Sequence, residues 1–177
     1  MQYAINLTAS VETDAPLRAQ WVELERFAPE IAMSALGHPP HVTLAFYDTI
    51  AETEVHAVMG SVFDSASVVR LRFAALGCFE HPAFLVWAAP DPSDDLSRLH
   101  AAVHEAIDPA RCQEHYRPGQ WVPHATLAIG IPEDRRFEAR ALAARAIEPF
   151  EVVFDTADCS AFFPVRPIAR RPLLPAP

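Results

Sequence analysis

Two six-residue stretches carry the side chains best suited to chemistry: Pro40-His41-Val42-Thr43-Leu44-Ala45 and Pro123-His124-Ala125-Thr126-Leu127-Ala128. Five of the six positions agree, and the copies lie 83 residues apart in a chain of 177. With eight histidines present, one His-x-Thr-Leu string is an ordinary accident, but two matched copies are not. In a strand, residues i and i+2 point the same way, about 6.6 Å apart along it. His41 and Thr43 therefore share a face, as do His124 and Thr126. Side by side, the two strands would offer two imidazoles and two hydroxyls to one volume. Such a set suits a phosphate: the hydroxyls of Thr43 and Thr126 bind its oxygens, and an imidazole stands on either side. Histidine titrates near pKa 6.5, so one ring can act as general base toward an attacking hydroxyl while the other acts as general acid on the leaving oxygen. A strained cyclic phosphodiester fits this machinery, and no metal or other cofactor is required.

The elements that must position these faces follow from the pattern around them. Tyr3–Thr8 reads as a first strand. Asp14 and Pro16 open a helix with Leu17, Trp21, Leu24 and Phe27 on its apolar side. Gly37-His38-Pro39-Pro40 is a breaker that delivers the chain, already extended, into the first motif. From His41 to Tyr47, alternation puts Val42, Leu44 and Phe46 on one face and His41, Thr43, Ala45 and Tyr47 on the other. Thr49-Ile50-Ala51-Glu52 matches a capping box for a second helix. Val68–Leu76 reads as a strand, Gly77–Pro82 as a turn, and Ala83–Ala89 as a buried strand. A third helix starts at Ser93 with two acids in its first turn. A polar loop over 108–120 precedes the second motif strand, predicted from Trp121 to Ile129. A fourth helix follows Pro132 with Phe137 and Ala141 inward, then closing strands at Phe150–Asp155 and Cys159–Val165. Arg166–Pro177 reads as a surface tail.

The halves rhyme, which points to an internal duplication. The expected fold class is α+β: a single domain over 1–177, bilobal with pseudo-two-fold symmetry. Each βα lobe would carry a small mixed or antiparallel sheet, the two facing each other across a central cleft that holds both motifs. Pro90-Asp91-Pro92 is the expected lobe boundary. A hydrophobic share of 51% with 21% charged residues describes a chain able to bury a core. No apolar run is long enough for a membrane span. Three unpaired cysteines and no leader-like start imply a cytoplasmic protein. A net charge of −9 opposes a long non-specific grip on nucleic acid. The expected partner is therefore a small phosphorylated ligand, with no DNA and no membrane, bound by a monomer.

The paired His-x-Thr-Leu strings, with Trp121-Val122-Pro123 leading into the second, resemble the two-histidine (2H) phosphoesterase superfamily, in particular its 2′,5′-RNA ligase-like branch. The resemblance extends to Gly77-Cys78-Phe79 and to Pro82-Ala83-Phe84-Leu85-Val86-Trp87. It implies a bilobal fold and an enzyme that opens 2′,3′-cyclic phosphates on nucleotides or RNA ends without metal. His41 would be the proton donor, His124 the acceptor, and Thr43 and Thr126 the phosphate ligands. The chain departs from the bacterial RNA 2′,3′-cyclic phosphodiesterases in reading Phe46-Tyr47-Asp48 where they continue Phe-Leu-Gly, and Ile129-Gly130 where they carry an arginine. A nucleotide-binding module without catalysis, and ligase-like chemistry in the reverse direction, stay open on the same residues.

Around the motifs, Tyr47 and Phe79 are candidates to border or stack a nucleobase. Trp121 lies three residues from His124, and core packing is its expected role. His100 and His104 have the i, i+4 spacing of a zinc pair but no third ligand, so packed histidines are expected there. The arginines Arg111 and Arg117 are expected in a solvated loop with His115, and Arg166, Arg170 and Arg171 on a solubilising tail.

Overall fold

The computed structural model describes residues 2–162 and 164–176. Seven strands and four α-helices alternate along it: β1 (Gln2–Ala9), α1 (Ala15–Leu24), β2 (His41–Tyr47), α2 (Glu52–Phe63), β3 (Val69–Phe79), β4 (Leu85–Pro90), α3 (Asp94–Ala106), β5 (Ala125–Ile129), α4 (Arg136–Ala143), β6 (Phe150–Phe162) and β7 (Arg166–Pro172). The strand order is β1-β2-β5-β4-β3-β6-β7, and β1 also bonds β6. Six strands thus form a closed antiparallel circuit with β7 outside it. The circuit is narrowest between β2 and β5, where Val42 faces Ala125.

Long β6 joins the two lobes. Phe150–Phe154 pairs with β3 and Phe154–Phe162 with β1. One lobe is β1, β2, β7 and the second part of β6, covered by α2 and α3. The other is β3, β4, β5 and the start of β6, covered by α1 and α4. The duplication reads β1-α1-β2-α2-β3 against β4-α3-β5-α4-β6. Each repeat gives its first helix and all or part of its last strand to the other lobe, which is why neither can bury its apolar faces alone. The repeats meet between β3 and β4, whereas Pro90-Asp91-Pro92 closes β4 and leads into α3.

Several local expectations change. β2 carries a bulge: Ile5 pairs with Ala45 but Asn6 pairs with Thr43, so Leu44 is the extra residue. A bulge reverses the alternation beyond it. Phe46 therefore turns to the side of His41 and Thr43, and Tyr47 points into the core. The predicted turn at Gly77-Cys78-Phe79 is strand, because these residues pair with Trp87, Val86 and Leu85. The two closing strands are one, and position 163 lies outside the described residues. The expected tail is mostly strand: β7 pairs with β6, and Arg166 and Arg171 bridge to Glu52 and Asp64, at the two ends of α2, at 3.1 and 3.0 Å. No capping box forms at α2, whose cap is Ala51 with no side-chain bond. Phe137 is 80% exposed; Ala139, Leu142 and Ala143 face inward from α4 instead.

Candidate active site

Val42, Leu44, Ala125 and Leu127 are buried, whereas His41, Thr43, His124 and Thr126 are only half-buried. The motif strands thus turn their aliphatic residues into the core and their four polar residues to the opposite face. The Val42–Ala125 pair sets a register in which His41 lies beside Thr126 and Thr43 beside His124. The two histidines occupy a diagonal of about 7–8 Å. A tetrahedral phosphate with a hydrogen bond at each end spans about the same distance. The strand itself begins at Ala125, so Trp121–His124 is a lead-in and not part of the predicted strand.

Both imidazoles are oriented by the same device. His41 Nδ1 lies 2.8 Å from the Pro39 carbonyl and His124 Nδ1 2.8 Å from the Val122 carbonyl, each two residues upstream. A carbonyl only accepts, so each Nδ1 carries hydrogen and each Nε2 is left for the cleft. Burial lowers the pKa of both rings. His41 falls to about 4, with a charge on His38 or His124 lowering it further while the Pro39 carbonyl and Asp158 act in the other direction. For His124 the bond to Val122 opposes the effect of burial. The free site therefore holds neutral imidazoles at pH 7, and a bound anion would favour their protonation.

Behind the first motif lies a polar network that the sequence pattern did not single out. Thr43, Asn6 and Asp158 are cross-strand neighbours on β2, β1 and β6. Thr43 Oγ1 donates to Asn6 Oδ1 at 2.8 Å, and Asn6 Nδ2 donates to Asp158 Oδ1 at 3.1 Å. Ser160 Oγ donates to Asp158 Oδ2 at 2.7 Å, and His38 Nε2 lies 2.9 Å from the same oxygen. Burial would raise the Asp158 pKa, but the bonds from His38, Ser160 and Asn6 outweigh it and hold it below the ordinary value. The available sequence signal was the i, i+2 pair Asp158/Ser160 inside an apolar strand, together with Asn6 in another.

A cavity of about 240 Å³ opens beside His124, bounded by Phe79, Leu85, His115, Tyr116 and Gln120 among others. Phe79 meets His124 edge-on with ring centres 5.1 Å apart and packs on Trp87 at 4.9 Å. Phe46 stacks on Tyr116 at 5.9 Å. Tyr47, the other aromatic candidate, is fully buried and away from this space for the reason the bulge gives. Two indoles brace the motif strands: Trp21 Nε1 donates to the Thr126 carbonyl and Trp121 Nε1 to the Thr43 carbonyl, both at 3.0 Å. Each brace crosses from one repeat to the other.

Residues 13–160 match the sequence profile of the 2′-5′ RNA ligase superfamily. The chain belongs to that superfamily. Among solved structures, it is similar to E. coli LigT complexed with 3′-AMP, at 19% identity and TM-score 0.65 over 97% of both chains. It is also similar to TT0787 of Thermus thermophilus, at 17% identity and TM-score 0.66 over 99% of both. At these identities the likeness is one of fold. No curated protein sequence matches significantly.

In this 2′-5′ RNA ligase superfamily chain the remaining candidates have structural roles. His100 and His104 both direct Nε2 at the Tyr116 carbonyl, at 2.8 and 3.0 Å, and His100 stacks on Trp121 at 3.9 Å. The pair clamps the loop before the second motif, and among the described residues no metal-binding cluster exists. Arg117 donates to the carbonyls of Cys112 and Ala110, and Arg111 forks onto Glu54. The cysteines are free, and burial raises all three thiols, Cys159 to about 12. Among the described residues no helix is long and apolar enough to cross a membrane.

Proposed function

We propose that this superfamily member is a phosphodiesterase that opens the 2′,3′-cyclic phosphate of a nucleotide or RNA end, with His41 as general acid and His124 as general base. The observation that carries this reading is the matched pair of imidazoles on adjoining strands, each pinned at Nδ1 with Nε2 free. One takes a proton from the attacking water while the other gives one to the departing ribose oxygen, so both proton transfers are supplied without a metal step. Thr126, whose hydroxyl has no hydrogen-bond partner within the described residues, donates to a non-bridging oxygen, and Thr43 contributes its oxygen face to the same group. Phe79 offers an apolar ring to a base lodged beside His124. The LigT structures bound to 3′-AMP, ATP and phosphate support a nucleotide or phosphate occupant. Among the described residues no arginine lines the cavity beside His124, which favours a single nucleotide or a short end over a long RNA track.

The test is a panel of 2′,3′-cyclic nucleotides, cyclic-phosphate RNA ends and 2′,5′-linked dinucleotides, assayed with and without chelator. Hydrolysis of the cyclic phosphates is expected to survive chelation. His41→Ala and His124→Ala should each lower kcat by about 100-fold or more with the far-ultraviolet spectrum unchanged. Full turnover in both variants, or activity on the 2′,5′ linkage alone, would overturn the proposal.

A further inference from the structure

The two motifs are near copies, yet the fold backs them differently. Behind His124 stand the Val122 carbonyl and the rings of Phe79 and Trp87. Behind His41 runs a hydrogen-bond chain that ends on a carboxylate. His41 Nδ1 is 3.0 Å from His38 Nδ1, and His38 Nε2 is 2.9 Å from Asp158 Oδ2. The His38 and Asp158 side chains are 4% and 0% exposed. A carboxylate buried this fully loses its hydration and stays ionised only where its partners compensate.

The proton positions follow from what each atom can accept. Ionised Asp158 only accepts, so His38 Nε2 donates to it. A neutral His38 then has its lone pair on Nδ1, turned toward His41. The Pro39 carbonyl 2.8 Å away also only accepts, so His41 Nδ1 carries the hydrogen that both acceptors share. Every link runs donor to acceptor in one direction, and the chain comes out at His41 Nε2 in the cleft. Asp158 reaches the motif by a second route as well, through Asn6 to the Thr43 hydroxyl. One carboxylate therefore organises both polar side chains of the first motif. No such anion stands behind the second motif among the described residues.

We infer that His38 and Asp158 are a positioning pair that makes His41, and not His124, the histidine holding the proton in the substrate complex. The inference rests on the cyclic-phosphodiesterase reading for its consequence, but not for its geometry. The groups around His41 that can carry charge are His38 from the loop before β2, Asp158 from β6 and His124 across on the second motif. A proton on His41 Nε2 makes an imidazolium whose charge is met at Nδ1 by the Pro39 carbonyl and by the lone pair of a neutral His38, with Asp158 beyond, whereas a charge on His38 would oppose it. The same proton on His124 meets one backbone carbonyl. With one proton at the site and one negative charge on the diester, the proton resides on His41. In hydrolysis, water loses a proton to His124 Nε2 as its oxygen bonds phosphorus. The ring P–O bond breaks, and its oxygen takes the proton from His41. His124 is left charged and His41 neutral, and exchange with solvent restores the start.

The experiment is a histidine-labelled NMR titration of the full chain, free and with inorganic phosphate, in wild type, Asp158→Asn and His38→Gln, alongside pH profiles of kcat. Wild-type His41 is expected as the Nδ1–H tautomer. Both variants should lower its apparent pKa by about half a unit or more, leaving His124 unmoved. They should also shift the alkaline limb of kcat to lower pH and cut kcat at pH 7.5 about threefold or more, with KM within about twofold. If Asp158→Asn does not fold, His38→Gln carries the test, since it removes the ring that links His41 Nδ1 to Asp158 Oδ2 while leaving the carboxylate in place. An unchanged His41 tautomer and pKa in the folded variants, or an equal shift at His124, would overturn the inference even if wild-type turnover is normal. A wild type that turns over no cyclic phosphate while the NMR shifts appear would overturn the proposed reaction and leave the pairing standing.

Discussion

The two threonines show how far the repeat has diverged residue by residue. Thr43 has one hydroxyl hydrogen and spends it on Asn6 Oδ1 at 2.8 Å, so toward a phosphate it offers lone pairs unless it rotates. Thr126 has no such partner and is free to donate. Truncating them should therefore have different consequences. Thr126→Ala loses a hydrogen bond to an anion, a contact worth about 1.5–3 kcal/mol, so kcat/KM should fall by roughly tenfold or more with the melting temperature nearly unchanged. Thr43→Ala leaves Asn6 Oδ1 unpaired in a buried network, a cost of about 1–3 kcal/mol, so its melting temperature should fall along with activity. Kinetics and thermal melts on the two single variants check this, and equal stability losses would contradict the asymmetry. Alternation in the sequence was enough to assign His41, Thr43, His124 and Thr126 to one face, because that face depends on two-residue periodicity alone. Tyr47 failed the same rule because one extra residue at Leu44 reverses it, and nothing in the string Val-Thr-Leu-Ala-Phe-Tyr marks a bulge. His38, Asn6 and Asp158 were not legible as a unit, since they meet only through β1–β6 pairing across about 150 residues.

At the level of elements, the β3–β4 hairpin sets the wall beside His124. Gly77 pairs with Trp87, and a Cβ at Gly77 would lie 2.5 Å from Trp87 Cζ2. The indole lies flat over the glycine, in contact with Phe79 and 5.9 Å from the His124 ring. Here the glycine supplies close approach, not a turn, and that is why the predicted turn at 77–79 is strand. Gly77→Ala should push the indole outward, with Phe79 and the His124 ring moving in turn. Overpacking of this kind costs about 1–3 kcal/mol, so a lower melting temperature, a shifted tryptophan fluorescence maximum and a several-fold rise in KM are expected. A variant with wild-type melting and kinetics would show that the wall tolerates a methyl group and that Trp87 does not fix Phe79. The crossed indoles belong to the same scale. Trp21 on α1 and Trp121 before β5 each bond the threonine carbonyl of the other repeat's motif, so the motif strands are held by elements that the sequence had assigned only to core packing.

Across the whole molecule, the interlocked repeats bury His100 and His104 of α3 and half-bury His41 and His124 at the motifs, and this makes stability depend on pH. Burial lowers the pKa of His41 and of His100 from 6.5 to about 4, and it lowers His124 and His104 as well. A histidine that is harder to protonate folded than unfolded gives the unfolded chain the extra protons, so stability falls as pH falls. The loss begins near the unfolded value of 6.5 and continues down to the folded value near 4. One pK unit corresponds to about 1.36 kcal/mol, so several kcal/mol in all are expected to disappear over this window. Asp158, held below the ordinary carboxylate value by its three donors, adds its own loss only at lower pH, where it too must protonate. Melting temperature measured from pH 8 to pH 4 should therefore be level above about 7 and decline progressively below 6.5. Inorganic phosphate should act most strongly near pH 6, because an anion in the cleft favours protonated His41 and His124 in the folded state and so offsets part of the decline. A melting temperature that stays level down to pH 4.5 would mean that these imidazoles protonate without opening the core, and that the clamp on Tyr116 and the motif cleft are wetter than the fold shows.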